Sequence, residues 1–379
     1  MQIESRRGAV VVGVILSAVG VPGLSACAPD APAPTTSSTS ASGATASAAP
    51  SSTPTPTAVA IAPPQVRVPL TCDQVAPIAE VNAALGTNVV AATPDPSDLT
   101  PYAYLQDGAL YCSYVGTVAK SESEYQLLVM PDITLAQWNK DKKYLDGSTP
   151  SPFGANSFLD CESSPKDLKC NLDILIGTTW ITIQDFSDNV TATLTEAQAL
   201  SRFQPVLQTA ITAVKGATIA EPLWKDPDAT AVNIAPSNAF ENLLKHASGV
   251  DYATDVYNPD PVAVGPQSEA MYPTGFQIFG GGGGKYSITT EVLPGGSWAF
   301  SRLTSAVAGV AEPTPLRGLG DQAFSFGDPN KYQPYDTQIL ATQGHNLISI
   351  DVDTSSKTAG PNVPTVAKNV AAAVLTQIN

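Results

Sequence analysis

Two periods organise the apolar positions of this chain. Some runs alternate apolar and polar residues, as strands with one buried face do; others space apolar residues along one side of a helix. Alternation runs from Tyr125 to Val129, Leu172 to Ile176 and Trp180 to Phe186. It returns from Tyr286 to Val292, Thr337 to Ala341 and Leu347 to Val352. Helical spacing covers residues 74–86, 194–214, 237–249 and 363–378. Gly86 and Gly249 stand just past two of these helices, where a glycine ends the helix.

The elements fall into two copies of one series. Val129-Met130-Pro131 and Val292-Leu293-Pro294 each end an alternating run, and each precedes a helix-like segment with a tryptophan, Trp138 or Trp298. Gly154 to Phe158 parallels Gly320 to Phe324, and Tyr111-Cys112 matches Tyr272-Pro273. The repeat is domain-sized, far longer than solenoid periods. Each copy reads helix, two strands, helix, two or three strands, helix. Neighbouring strands joined by short turns pair as antiparallel hairpins. The expected fold class is therefore α+β: two tandem related domains, each an antiparallel sheet covered by helices. The first spans residues 67–216 and the second 233–379. The linker is 217–232, a prolyl stretch of little periodicity.

Residues 27–66 follow neither period. From Ala28 they are almost all Ala, Ser, Thr and Pro, with Asp30 the single charge, so they cannot bury enough apolar surface to order themselves. They read as a disordered tether. As a coil it would span about 35 Å. Its composition is also compatible with O-glycosylation. Ahead of it, Arg6 and Arg7 precede an apolar stretch and then Leu24-Ser25-Ala26-Cys27, the layout of an export signal over residues 1–26. The ending resembles a bacterial lipobox, which implies acylation of Cys27 and cleavage before it. The expected location is the extracytoplasmic face of the cell membrane.

Charge narrows the partners. The chain carries 19 Lys plus Arg against 34 Asp plus Glu, net -15. Such a chain is repelled by nucleic acid and by anionic headgroups, so membrane attachment falls to acyl chains. The four cysteines other than Cys27, namely Cys72, Cys112, Cys161 and Cys170, are an even number in an exported protein and imply disulfides of three alternative connectivities. There is no CxxC pair and there are two histidines, so no metal or cofactor is expected.

Leu70-Thr71-Cys72, Leu85-Gly86 and Tyr111-Cys112-Ser113, following a lipobox and a Ser/Thr/Pro tether, resemble actinobacterial cell-envelope lipoproteins of a domain family of unknown function. The run Gly318 to Phe324 is similar to a Gly-Leu-Gly-Asp-x-Ala segment common in them. The second copy departs from the pattern by lacking both cysteines. The resemblance implies location and fold but no catalytic residues. The expected pairing is Cys72–Cys112, tying the first helix to the first strand, and Cys161–Cys170, closing a hairpin. The longer loop would contribute about 3–4 kcal/mol by the chain-entropy argument.

Candidate chemistry is sparse. Gly280 to Gly284 with Lys285 departs from a phosphate loop at Phe279 and Tyr286, and reads instead as a hairpin loop. No Gly-x-Ser-x-Gly elbow exists. His246 and His345 stand apart from a nucleophile and read as surface residues. Asp351 and Asp353 share a strand face, with Asp185 and Asp188 at the corresponding end of the first copy; solvated acidic ends are the default for both pairs. Trp138 and Trp298 are the ligand-binding candidates, in a groove between helix and sheet, against the simpler role of core aromatics. Tyr102, Tyr104 and Tyr111 offer a recognition surface before the first strand. The reading is a lipid-anchored binding or accessory protein without catalytic activity, taking an apolar ligand or an envelope protein. The alternative is an envelope hydrolase using acidic residues in an inter-domain cleft.

Overall fold

In the computed structural model, two antiparallel sheets repeat one strand order. The structure describes residues 63–93, 95–117, 123–141, 149–150, 152–165, 167–188, 193–220, 224, 245–247, 276–283, 286–309, 311–327, 335–354, 356 and 359–378. The signal, Cys27 and most of the tether lie outside them, as do Tyr272, Pro273 and most of the linker and of the segment 237–249.

The first half contains α1 (Cys72–Val75), α2 (Ile78–Leu85), β1 (Val89–Ala91), α3 (Thr100–Gln106), β2 (Leu110–Gly116), β3 (Glu124–Met130) and α4 (Leu135–Asp141). It continues with β4 (Thr149–Pro150), β5 (Ser157–Ser163), β6 (Leu168–Ile176), β7 (Thr179–Ser187) and α5 (Glu196–Lys215). The second contains β8 (Gln277–Gly283), β9 (Tyr286–Leu293), a 3-10 turn (Gly296–Ala299), α6 (Phe300–Ala308) and β10 (Thr314–Pro315). After these come β11 (Gln322–Phe326), β12 (Tyr335–Gln343), β13 (Asn346–Thr354) and α7 (Val363–Leu375). The sheet orders are β1-β2-β3-β7-β6-β5-β4 and β10-β11-β12-β13-β9-β8. Read from the opposite edge, the second order is the first without β1. The α+β class expected from the sequence is the observed one.

Register repeats along with order. Pro150 pairs with Phe158, and Phe158 with Asp173; Pro315 pairs with Phe324, and Phe324 with Leu340. Asp173 then pairs with Thr182 as Leu340 does with Ser349. Gly177 and Gly344 turn the matching hairpins with φ of 61° and 58°, a conformation glycine adopts without a Cβ penalty. Pro131 and Pro294 each follow the matching strand end.

Local departures have local causes. The helix expected at 74–86 is two helices, because Pro77 lacks an N–H and disfavours helical backbone at the preceding residue. The glycine run at 280–283 is not a loop: it lies in β8 and pairs with Tyr286 to Thr289 of β9. Tyr104 is not a surface residue, being 2% exposed in α3. The Gly318–Phe324 run has a structural explanation. Gly320 adopts φ of 59° where a Cβ would lie 2.2 Å from Thr342 O. Asp321 N–H donates to Thr342 O at 2.8 Å, and the Asp321 carboxylate accepts from Gly344 N at 2.6 Å. The run pins β11 to the β12–β13 turn.

Three cores result. One lies between the first sheet and α1, α2 and α5; a second lies between the second sheet and α7. The third is shared. It joins Leu128, Met130, Leu175 and Trp180 of the first sheet to Leu293, Phe324, Leu340 and Leu347 of the second, with α3, α4 and α6 contributing. Gln106 Nε2 donates to Pro294 O at 3.1 Å across this layer. Each half thus has a helix-side core of its own and contributes to a shared one, and all described residues belong to one unit.

Candidate functional site

The repeated register allows the halves to be compared position by position. Leu159, Cys161, Cys170 and Leu172 of the first half correspond to Ser325, Gly327, Thr337 and Ile339 of the second. In the first half, the cross-strand Cys161–Cys170 disulfide (Cα–Cα 4.2 Å), Leu159 and Leu172 fill the space under α5. The helix packs mainly over β5 and β6. In the second half α7 packs mainly over β12 and β13, one strand further inward. Small and hydroxylated residues stand beside it, and a Cβ at Gly327 would meet nothing within 4 Å. A groove of about 430 Å³ opens there, lined by Leu316, Ser325, Thr337, Ile339, Pro364, Thr365 and Lys368.

This groove has two chemistries. Leu316, Ile339 and Pro364 supply apolar surface. Ser325, Thr337, Thr365 and Lys368 supply three hydroxyls and an ammonium, for which no hydrogen bond or ion pair exists among the described residues. Thr337 is only 8% exposed. Thr365 and Lys368 lie in the first two turns of α7, where the helix dipole favours negative charge. The volume is within the range of small-molecule pockets, which combine apolar walls with a few polar groups.

The candidates named from sequence lie elsewhere. Trp138 is 1% exposed in the shared core. It meets Trp180 edge-on at 4.8 Å and Phe158 at 5.8 Å between ring centres. The second sheet covers the face on which a ligand groove was expected, so Trp138 lines none. Trp298 is half-buried in the 3-10 turn, with Tyr102 at 5.9 Å, Trp224 at 6.5 Å and the Arg302 guanidinium 5.4 Å above its ring. It too is outside the groove. The disulfides are Cys72–Cys112 and Cys161–Cys170, as expected.

The acidic candidates of the two halves lie on different sheet faces. Asp351 and Asp353 face the inter-sheet side of β13, paired with Gln338 and Asp336. Asp185 points the other way, buried on the helix side of the first sheet, where it accepts from Cys170 N at 3.1 Å. Burial raises its pKa well above the usual range, against the pull of that bond and of Arg202. Asp188 accepts from Ser123 Oγ at 2.6 Å. His345 sits in the β12–β13 turn, where its carbonyl accepts from Ser297 N, and His246 is exposed. Among the described residues no group of three or more His, Cys, Asp or Glu is placed to hold a metal ion, and no helix is long and apolar enough to cross a membrane.

Sequence reasoning missed the groove because its lining residues are ordinary singly. The signal was present in the repeat: aligned through Phe158 and Phe324, the second copy puts Ser, Gly and Thr where the first has Leu, Cys and Cys. No family model and no curated protein matches this chain.

Proposed function

We propose that this chain is a lipid-anchored protein of the extracytoplasmic membrane face that binds a small, partly apolar ligand without transforming it. The observation that carries the reading is the groove beside α7, open where the equivalent space of the first half is filled by a disulfide and leucines. The lipobox-like Leu24 to Cys27 and the tether that follows support the location. The resemblance of the Gly318–Phe324 run to envelope lipoproteins supports it too. The hydrogen bond from Gly344 N to Asp321 and the close approach at Gly320 support a structural role for that run. Binding without turnover fits a groove with no carboxylate, histidine or cysteine among the described residues of its lining. The hydrolase alternative needs acidic side chains to meet, and Asp185 lies on the opposite sheet face from the one that Asp351 and Asp353 occupy in the second half.

The test is capture of the mature protein from membranes, with bound small molecules and proteins identified by mass spectrometry. A small molecule should accompany the wild type and be recovered unaltered. It should be lost from Ser325→Leu, which copies Leu159 of the first half into the groove. Recovery of only protein partners, equally with both forms, would contradict the reading.

A further inference from the structure

We propose that the groove beside α7 takes an amphiphile bearing one anionic head group, and that the first half carries the same site closed by its Cys161–Cys170 disulfide. The proposal rests on the binding reading above and specifies its ligand.

The head-group assignment comes from the polar lining. Lys368 brings a positive charge, and the hydroxyls of Ser325, Thr337 and Thr365 are donors without a partner among the described residues. Thr337 is 8% exposed as a residue, and its hydroxyl is not among the buried polar atoms left without a partner, so it opens to the groove and can bond water or a ligand oxygen there. A ligand oxygen placed in the groove would meet these donors together with the Lys368 ammonium. The 13-residue α7 adds its N-terminal turn, where Thr365 lies. Among the described residues no carboxylate lines the groove, in a chain with 34 acidic residues against 19 basic ones. An anion therefore meets local attraction despite the repulsive field of the whole.

The apolar portion of the ligand comes from the other side. Leu316, Ile339 and Pro364 would contribute nothing to a bare inorganic anion, whereas an alkyl chain would cover them. The comparison between halves points the same way. Ser325, Gly327 and Thr337 replace Leu159, Cys161 and Cys170 at matching register positions, so the space and the hydroxyls arise together.

The experiment is titration calorimetry on the full chain carrying Cys27→Ser, which cannot be acylated and needs no detergent. Octanoate, octanol and inorganic phosphate are the probes. Octanoate should bind, and octanol should bind at least about tenfold more weakly, the difference expected for a charge-assisted hydrogen bond. Lys368→Ala, an exposed position, should reduce octanoate to the octanol level. Ser325→Leu should abolish both. The pair Gly327→Cys with Thr337→Cys, once oxidised, should close the groove as the native disulfide does, with the unfolding midpoint no lower than that of the parent. Octanol binding as tightly as octanoate, unchanged by Lys368→Ala, would overturn the anionic head group and leave the binding reading standing. Phosphate binding as tightly as octanoate and competing with it would overturn the amphiphile in favour of a simple anion site. Absence of binding by all three probes would overturn both readings.

Discussion

Trp180 donates its indole N–H to Asp173 Oδ1 at 3.0 Å, inside the layer where the two sheets meet. Thr182 Oγ1 donates to the same oxygen at 2.7 Å. Burial dominates the carboxyl and raises its pKa from 3.8 to about 6, and the two hydrogen bonds recover only part of the shift. The folded chain thus keeps this proton to higher pH than the unfolded chain does. Its contribution to stability is full below pH 3.8 and is lost as pH rises through about 6. The interval corresponds to about 3 kcal/mol. Asp107 and Asp185 shift in the same direction, also through burial. Urea unfolding should therefore show a chain more stable at about pH 5 than at about pH 7.5. Asp173→Asn keeps the accepting oxygen and removes the titration, so its pH profile should be flatter. A profile parallel to wild type would show that Asp173 is ionised in the folded state at an ordinary pKa.

The shared core predicts joint unfolding. Leu340 is fully buried against the first sheet's aromatic layer, and Leu340→Ala should cost about 2–5 kcal/mol. Hydrogen exchange should report the loss in both halves, in β3 and β7 as well as in β12 and β13. Two separate thermal transitions, with only the second displaced, would mean that the halves fold independently.

The two disulfides should differ in weight. Cys72–Cys112 spans a sequence separation of 40 and Cys161–Cys170 one of 9. Loop-closure entropy assigns about 4 kcal/mol to the first and about 3 kcal/mol to the second. Denaturant titration of Cys72→Ser with Cys112→Ser, beside Cys161→Ser with Cys170→Ser, should reproduce that order. The reverse order would mean that packing of the second disulfide under α5 outweighs loop closure.

Acylation is tested at its own residue. Cys27→Ala should move the protein from the detergent phase to the aqueous phase on phase partitioning. A variant that partitions like wild type would mean that the chain is not anchored through Cys27.

The fold was legible where one physical rule acted alone. Alternation located β6 and β7, and glycine at position 86 ended α2 as its φ of 68° requires. The repeat was legible through Pro131 and Pro294 and through Phe158 and Phe324. The stacking of the sheets was not. Asp173, Thr182, Ser349 and Glu291 on the facing surfaces are buried, whereas alternation shows only that one face is more polar than the other. For Glu291 the burial is offset by a partner distant in sequence: its carboxylate accepts from Leu99 N at 2.5 Å across 192 positions. Trp138 was placed on the right helix, but which sheet would cover it is not encoded nearby. The groove depends on a shift of α7 by one strand, a packing outcome that no local pattern carries.

Ligand binding beside α7 is put at greatest risk by hydrogen exchange of the protein with and without envelope lipid extract. Binding in the second half should slow exchange in β11, β12 and the first turns of α7, and leave β5, β6 and α5 unchanged. Unaltered exchange around Ser325, Thr337 and Lys368, or protection confined to the facing strands that carry Asp351 and Asp353, would contradict it.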